Sequence, residues 1–447
     1  MKKEFEVAYI PVGVGTFHLE SAQKLMDGSA ALLRSLADNV KVPAEMLLTV
    51  DLLDEYLEGL DPDLIVFQNL TFANGAYMSR VLAKFDCPIL LWTLREPVID
   101  GTRLRLNSLT GAFSAANAIK AFRSEPFEYL LASPSEEAAR RKLEATIGAA
   151  KAKFMMKRLR LAAVGHTPQG FGFGRALDLD LLKHFGVELL SIESRELIDR
   201  AKAYSDEEMA EYLADAETRT VGLQETPERN RKDFARLYRA YKEYVEENRV
   251  GALASRCWPD FFTAFGTPVC TVLGILNDLG VAASCEADAY GALSMYLCAE
   301  LTGMPAFFGD PVSVDEAENT VTFWHCGMAP CSLAREDTGA VIGEHCNRHI
   351  GPTLEFGCRA SETATIFRIG RNADGSFRFF IAEGRALDKP KQFYGTSVVI
   401  ETKADAGELV RRSVGEGWEP HFAVAYGDIA DELEALAHML GMDCVRA

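Results

Sequence analysis

Residues 64–92 read LIVFQNLTFANGAYMSRVLAKFDCPILLW. The stretch opens on an apolar run at 64–67 and closes on another at 89–92. Continuous apolar runs of this length fit strands buried on both faces better than strands with one wet side. Between them, residues 76–84 read as helix. Strand, helix and strand in quick succession form the repeating unit of a parallel sheet covered by helices. The same alternation extends toward the N-terminus. Residues 7–12 and 47–50 read as further buried strands, and 22–37 as a helix between them. Together these elements outline a first α/β domain over residues 1–157.

A charged stretch at 136–160 reads as a helix and then a linker into a second alternating unit. Strands are expected at 159–164, 187–192, 250–253 and 281–285. Ser205 with Glu208 forms a capping-box signal, and Thr226-Pro227-Glu228 starts another helix. Phe234, Leu237, Tyr238, Tyr241 and Val245 then fall on one helical stripe. This places a middle α/β domain at 158–300. Beyond it the pattern shortens. Residues 320–324, 364–369, 377–382, 397–400 and 422–426 are brief β runs separated by turn residues. They predict a β-rich C-terminal domain over 301–447, closed or sandwich-like. The expected fold class is α/β, with two Rossmann-like domains followed by the β-rich one.

The formal net charge of −18 argues against nucleic acid and anionic membrane as partners. The N-terminus has two lysines before a short apolar run, but Glu4 and Glu6 break that run and no cleavage site follows. A cytoplasmic location is expected, with the ten scattered cysteines reduced.

An acid directly after an apolar strand stands at that strand's carboxyl end, where open α/β sheets bind ligands. Glu286 and Asp288 follow the 281–285 run in this way. Either is equally well placed to cap the next helix. Phe307-Phe308-Gly309-Asp310 ends a second apolar run in an acid, with Gly309 permitting close backbone approach. Its plain alternative is an ordinary Gly-Asp turn. A third segment, Gly415-Glu416-Gly417-Trp418-Glu419-Pro420-His421, delivers a histidine to the start of the 422–426 run. Two carboxylates and one imidazole suit a hard divalent cation, manganese or magnesium, better than zinc.

Two other patterns point elsewhere. Cys326, Cys331, His345 and His349 approach a zinc-finger spacing. The glycine-rich residues between them, however, lack the apolar helix that should present the histidines, so no structural zinc is expected. His325 and His345 remain possible polar groups of an active site. Gly170-Phe-Gly-Phe-Gly174 is glycine-rich but has neither the dinucleotide fingerprint nor a P-loop lysine, so nucleotide binding is not expected.

Taken together, these segments resemble the L-fucose isomerase family, with the L-arabinose isomerases as more distant kin. The likeness is strongest over residues 256–327. It is carried by Arg256-Cys-Trp258-Pro-Asp260, Cys285-Glu-Ala-Asp288, Leu301-Thr-Gly-Met-Pro305 and Phe308-Gly-Asp310. The resemblance implies a metal-dependent aldose–ketose isomerase working through a cis-enediol. Glu286 and Asp310 would be its catalytic and metal-binding carboxylates, and His421 would complete the shell of a divalent ion, Mn2+ first. Arg256, Trp258 and His325 would meet the sugar, joined by His18, Trp92 and Arg95 from the first domain. The family also implies a homo-oligomer, trimer or hexamer, with active sites at subunit boundaries. A rival reading is a non-catalytic sugar-binding protein, in which two α/β domains close on a sugar without chemistry.

The substrate is left between two kinds. A neutral aldose such as fucose or arabinose stands first, because it needs only hydroxyl partners. A sulfonated hexose, taken by the branch that converts sulfoquinovose to sulfofructose, stands close behind. It would need an arginine at the far end of the sugar. Arg95, Arg103, Arg105, Arg256 and Arg359 are the candidates.

Overall fold

A computed structural model describes residues 3–123 and 125–447. The chain forms two compact units. The first runs to Phe154 and takes in Asp431–Met442. The second spans Met155–Ala430 and recovers Asp443–Ala447.

The first unit is built on a parallel sheet of Val7–Val12 (β1), Val40–Lys41 (β2), Leu64–Asn69 (β3), Ile89–Thr93 (β4) and Glu128–Leu131 (β5). The strand order is β2-β1-β3-β4-β5. β1, β3 and β4 are buried along their whole length, which explains their unbroken apolar runs. Residues 47–50 are not the strand expected. Leu47 makes a single bridge to Val12, and Thr49 then accepts from the Leu52 N–H and starts the helix Val50–Leu57. A capping threonine outweighs a short apolar run here.

The second unit holds two sheets. Arg160–Val164 (β6), Glu188–Ile192 (β7), Ala252–Ser255 (β8) and Ala282–Cys285 (β9) form a parallel sheet in the order β7-β6-β8-β9. The other sheet contains Phe307–Asp315 (β10) and Thr320–His325 (β11). After a small pair, Ile342–Gly343 (β12) with Thr353–Leu354 (β13), it continues with Phe356–Gly357 (β14), Ser361–Arg371 (β15), Phe377–Ala386 (β16), Thr396–Thr402 (β17), Phe422–Ala425 (β18) and Asp443–Arg446 (β19). Its order is β14-β17-β11-β10-β18-β15-β16-β19, and β17 also pairs with β16. The six strands β17, β11, β10, β18, β15 and β16 therefore close on themselves in antiparallel pairs, as the closed form of the expected β-rich region requires. The expected α/β class, with parallel sheets followed by a β-rich region, is what the chain adopts.

Helix Ala289–Thr302 packs against β8 and β9 and also against β15 and β18. It is apolar around its circumference, with every residue from Ala289 to Cys298 buried. A helix with apolar residues on all sides belongs in a core. Among the described residues, no helix is long and apolar enough to cross a membrane.

Leu297 of this helix is fully buried. Leu297→Ala is expected to cost about 2–5 kcal/mol of stability, the range for emptying a core leucine site. Urea unfolding measures it, and a loss under about 1 kcal/mol would contradict this packing.

Candidate active site and metal centre

Three neighbouring strands and one sheet end converge on a single point. β18 pairs with β10 through Gly309 opposite Phe422, so His421 and Asp310 leave their strands side by side. β11 pairs with β10 on its other edge and ends at His325. Glu286 follows β9 directly, at the carboxyl end of the parallel sheet. There it meets Trp258, in the loop after neighbouring β8, whose indole Nε1 donates to Glu286 Oε1 at 3.1 Å.

His421 is the centre of this group and is 1% exposed. Its Nδ1 lies 2.9 Å from Asp288 Oδ2, and its Nε2 lies 3.0 Å from Glu286 Oε2 and 3.5 Å from Asp310 Oδ1. Its ring is walled by Phe308 at 4.9 Å and Phe173 at 5.2 Å, with Phe171 at 6.3 Å. Asp288 is fully buried and bound by both ends of Arg368, with Nη1–Oδ2 at 2.6 Å and Nη2–Oδ1 at 3.2 Å. Burial alone would raise its pKa, but Arg368 and His421 hold the carboxyl well below the usual range. The carboxylate therefore stays ionised and accepts the Nδ1–H of His421. That leaves the Nε2 lone pair facing Glu286 and Asp310.

Both acids after β9 thus have a role, but not the same one. Asp288 is the helix cap, its Oδ1 accepting from the Gly291 N–H at 2.8 Å. Glu286 is not a cap. It and Ala287 adopt left-handed backbone, with φ of 59° and 56°. Such a conformation costs about 1–3 kcal/mol per non-glycine residue and persists where its surroundings dictate it. Here the Ala287 N–H donates to Ser255 O at 3.0 Å, and Ser284 Oγ donates to Asp288 O at 2.7 Å.

The charges around His421 Nε2 ask for a cation. Two carboxylate oxygens facing a nitrogen lone pair repel one another unless positive charge lies between them. Without a metal a proton fills that role. Burial would lower the pKa of His421, but its hydrogen bonds to Asp288 and Glu286 outweigh burial and raise it to about 9. The oxygen-rich donors with one imidazole fit a hard divalent ion equally well. Glu286, His325 and His421 also bring ligand atoms within 4.8 Å of one another. His325, however, accepts the Cys326 backbone N–H on Nδ1 at 2.8 Å, so its neutral ring carries the remaining proton on Nε2. That buried Nε2 has no partner of its own. His325 is thus set as a hydrogen-bond donor toward whatever enters the site.

The other expected residues fall as follows. Arg256 donates through Nε to Trp258 O at 3.2 Å and pairs with Asp260 at 3.4 Å, so it braces the Trp258 loop. His18, Trp92 and Arg95 belong to the first unit. His18 caps helix Leu19–Leu36, accepting from Ser21 N on Nδ1, and Arg95 pairs with Glu136 at 3.1 Å. Trp92 is not the sugar-facing ring expected. It is fully buried, with Nε1 donating to Ala132 O at 2.8 Å, because β4 is covered on both faces. Of the zinc-like quartet, Cys326 hydrogen-bonds Cys346, Cys331 lies beside Asp278, and His345 packs edge-on to Phe262 at 4.9 Å. His349 sits in left-handed backbone with φ 52°.

Two features escaped the sequence reading. Arg368 stands in the middle of an apolar strand, Ile366-Phe367-Arg368-Ile369, and a charge there demands a buried partner. The Gly170–Gly174 turn supplies the phenyl walls of His421. A Cβ on Gly174 would come 2.7 Å from Asp288 Cα, so glycine lets this turn seat against the carboxylate.

Removing the guanidinium should therefore be costly. Arg368→Met leaves Asp288 charged, buried and unmatched, with an expected loss of about 3–5 kcal/mol in urea unfolding. A loss below about 1 kcal/mol would mean that Asp288 is neutral or matched in another way.

Comparison with known proteins identifies the family. Residues 340–446 match the family model described as L-fucose isomerase, C-terminal domain. The chain is 60% identical over 440 residues to the sulfoquinovose isomerase of Clostridium sp. (strain MSTE9), covering 98% of each chain. It is 35% identical to the sulfoquinovose isomerase of Priestia aryabhattai and 34% identical to that of Alkalicoccus urumqiensis, again over 98% of each chain. The chain therefore belongs to the L-fucose isomerase-like family of aldose–ketose isomerases.

Proposed function

We propose that this protein isomerises sulfoquinovose, a 6-sulfonated glucose, to the corresponding ketose, sulfofructose, with a divalent metal. For the chemistry, the supporting observation is the convergence of Glu286, Asp310 and His421 Nε2 on one point, with His421 locked by Asp288. For the substrate, support comes from relatives named sulfoquinovose isomerase that match along nearly the whole chain. This reverses the order of the sequence reading, which put a neutral aldose first.

A divalent ion held by Glu286, Asp310 and His421, manganese before magnesium, supplies Lewis-acid polarisation of the sugar carbonyl, a contribution of several kcal/mol. The rest falls to the protein. Glu286 and Asp310 carry the proton between C2 and C1 through a cis-enediol, the two carboxylates being the proton carriers closest to the point of convergence. Trp258 fixes Glu286 Oε1 and leaves Oε2 toward His421. The Nε2–H of His325 donates to a sugar oxygen. Phe171, Phe173 and Phe308 keep water from the far side of the imidazole.

Glu286→Gln and Asp310→Asn should each lower kcat by about 100- to 10,000-fold, the range of a lost general acid–base group. The fold, followed by circular dichroism, should stay intact. A strong chelator should abolish ketose formation and manganese should restore it. Full turnover by metal-stripped protein, or a higher kcat/KM for fucose or arabinose than for sulfoquinovose, would overturn this function.

The same reading includes a homo-oligomer, trimer or hexamer, with active sites completed by a neighbouring copy. Its support is a run of exposed apolar side chains on the first unit: Val98, Ile99, Leu104, Leu109, Phe113 and Phe122, with Ile99 93% and Phe113 72% exposed. Exposed apolar surface, where it is contiguous, marks an association face. Sedimentation velocity is expected to give a trimer or hexamer, and a fully active monomer would count against shared sites.

A further inference from the structure

A sulfonate remains ionised at every pH where the protein is folded, so a site that takes a sulfonated sugar needs a cation that the rest of the protein does not neutralise. Three of the five arginines singled out from the sequence are held in ion pairs. Arg95 pairs with Glu136, Arg105 with Asp100 and Arg256 with Asp260. Arg103 is bound to Thr16 O and Arg359 reaches Met304 Sδ, neither in an ion pair among the described residues, so position rather than pairing sets the next arginine apart. Arg348 was not among them. It is exposed, and among the described residues it forms no ion pair.

Its position is specific. The Arg348 guanidinium carbon lies 6.0 Å from the centre of the Trp258 ring and 5.8 Å from that of Phe262. Trp258 in turn touches Glu286 through its indole N–H at 3.1 Å. The indole therefore bridges the carboxylate of the proton-transfer site and the unpaired cation. A hexose laid along that ring, with C1 and C2 beside Glu286, would bring its C6 end toward Arg348. The loop is also held. His345 O accepts from Arg348 N at 3.1 Å and from His349 N at 2.8 Å, and His349 closes the turn in left-handed backbone. Burial pushes His345 down to about 4, and the nearby charge of Arg348 and the ring of His325 act in the same direction. Through Trp258 the loop borders the Glu286 side of the site, with Arg348 as its exposed charge.

We propose that Arg348 binds the sulfonate of the substrate and sets the preference for sulfonated over neutral hexoses. This inference rests on the function proposed above. The planar fork of arginine matches the oxygens of a sulfonate as it does those of a phosphate, and the aromatic walls around it reduce its competition with water. Separation along the indole keeps the substrate's anionic end away from Glu286, Asp288 and Asp310.

The test compares wild type, Arg348→Met and Arg348→Lys on sulfoquinovose and on 6-deoxyglucose, which lacks only the sulfonate. Arg348→Met should lower kcat/KM for sulfoquinovose by about 10- to 100-fold, mainly through KM, the size of a lost charged hydrogen bond. It should leave 6-deoxyglucose unchanged within about twofold, and Arg348→Lys should recover part of the loss. An equal fall on both sugars would make Arg348 a structural residue. No fall on either, in an enzyme that prefers the sulfonated sugar, would overturn this inference alone. A wild-type enzyme indifferent to the sulfonate would overturn both this inference and the proposed function.

Discussion

Asp288 accepts two hydrogen bonds from Arg368 in a place that water does not reach, and the rest of the site is arranged around that pair. Each ion alone would be several kcal/mol too costly to bury, so each requires the other. The carboxylate also receives the Gly291 N–H at the start of helix Ala289–Thr302 and the Nδ1–H of His421. The positive end of the helix dipole favours its charge as well. An ionised Asp288 fixes which nitrogen of His421 bears hydrogen, and so which one faces Glu286 and Asp310. With Asp288 anchored to the barrel by Arg368, the chain from β9 must turn sharply to reach it. The two left-handed residues of that turn are Glu286 and Ala287.

What the sequence made legible follows from how local each signal is. Buried parallel strands announce themselves as apolar runs, and those at 7–12, 64–67 and 89–92 stand where they were read. The run at 47–50 misled because Thr49 is a helix cap. Glu286, Asp310 and His421 stood out because each adjoins an apolar strand. That they form one set was expected from their chemistry and from the family resemblance, but the way they meet depends on the register of β10 against β18. Trp92 looked like a ligand-facing ring at a strand end, but whether such a ring turns inward depends on what covers the strand.

The residues that were missed share a different property: each has meaning only through a distant partner. Arg368 is explained by Asp288, eighty positions away in sequence. The Gly170–Gly174 turn was judged by the nucleotide motif it lacks, whereas its use lies in what glycine lets it approach. The zinc-like spacing of Cys326, Cys331, His345 and His349 likewise has to be read through the neighbours that the fold gives each side chain. Cys326 hydrogen-bonds Cys346, Cys331 lies beside Asp278, and the loop of His345 borders the site through Arg348 and Trp258.

The place of β18 in its sheet has a consequence for how the protein comes into being. β18 lies between β10 and β15, both of which precede it in the chain. The edges of β10 and β15 that flank it can be paired only once residues 422–425 have been made. Open strand edges attract other chains, so pairing by β18 also protects the edges of β10 and β15. His421 enters with that inserted strand. The imidazole therefore reaches its carboxylates only as the barrel closes. In small zinc domains the ion organises an otherwise unfolded chain. Here the ligand set is held by strand pairing: His421 and Asp310 stand side by side because β18 pairs with β10.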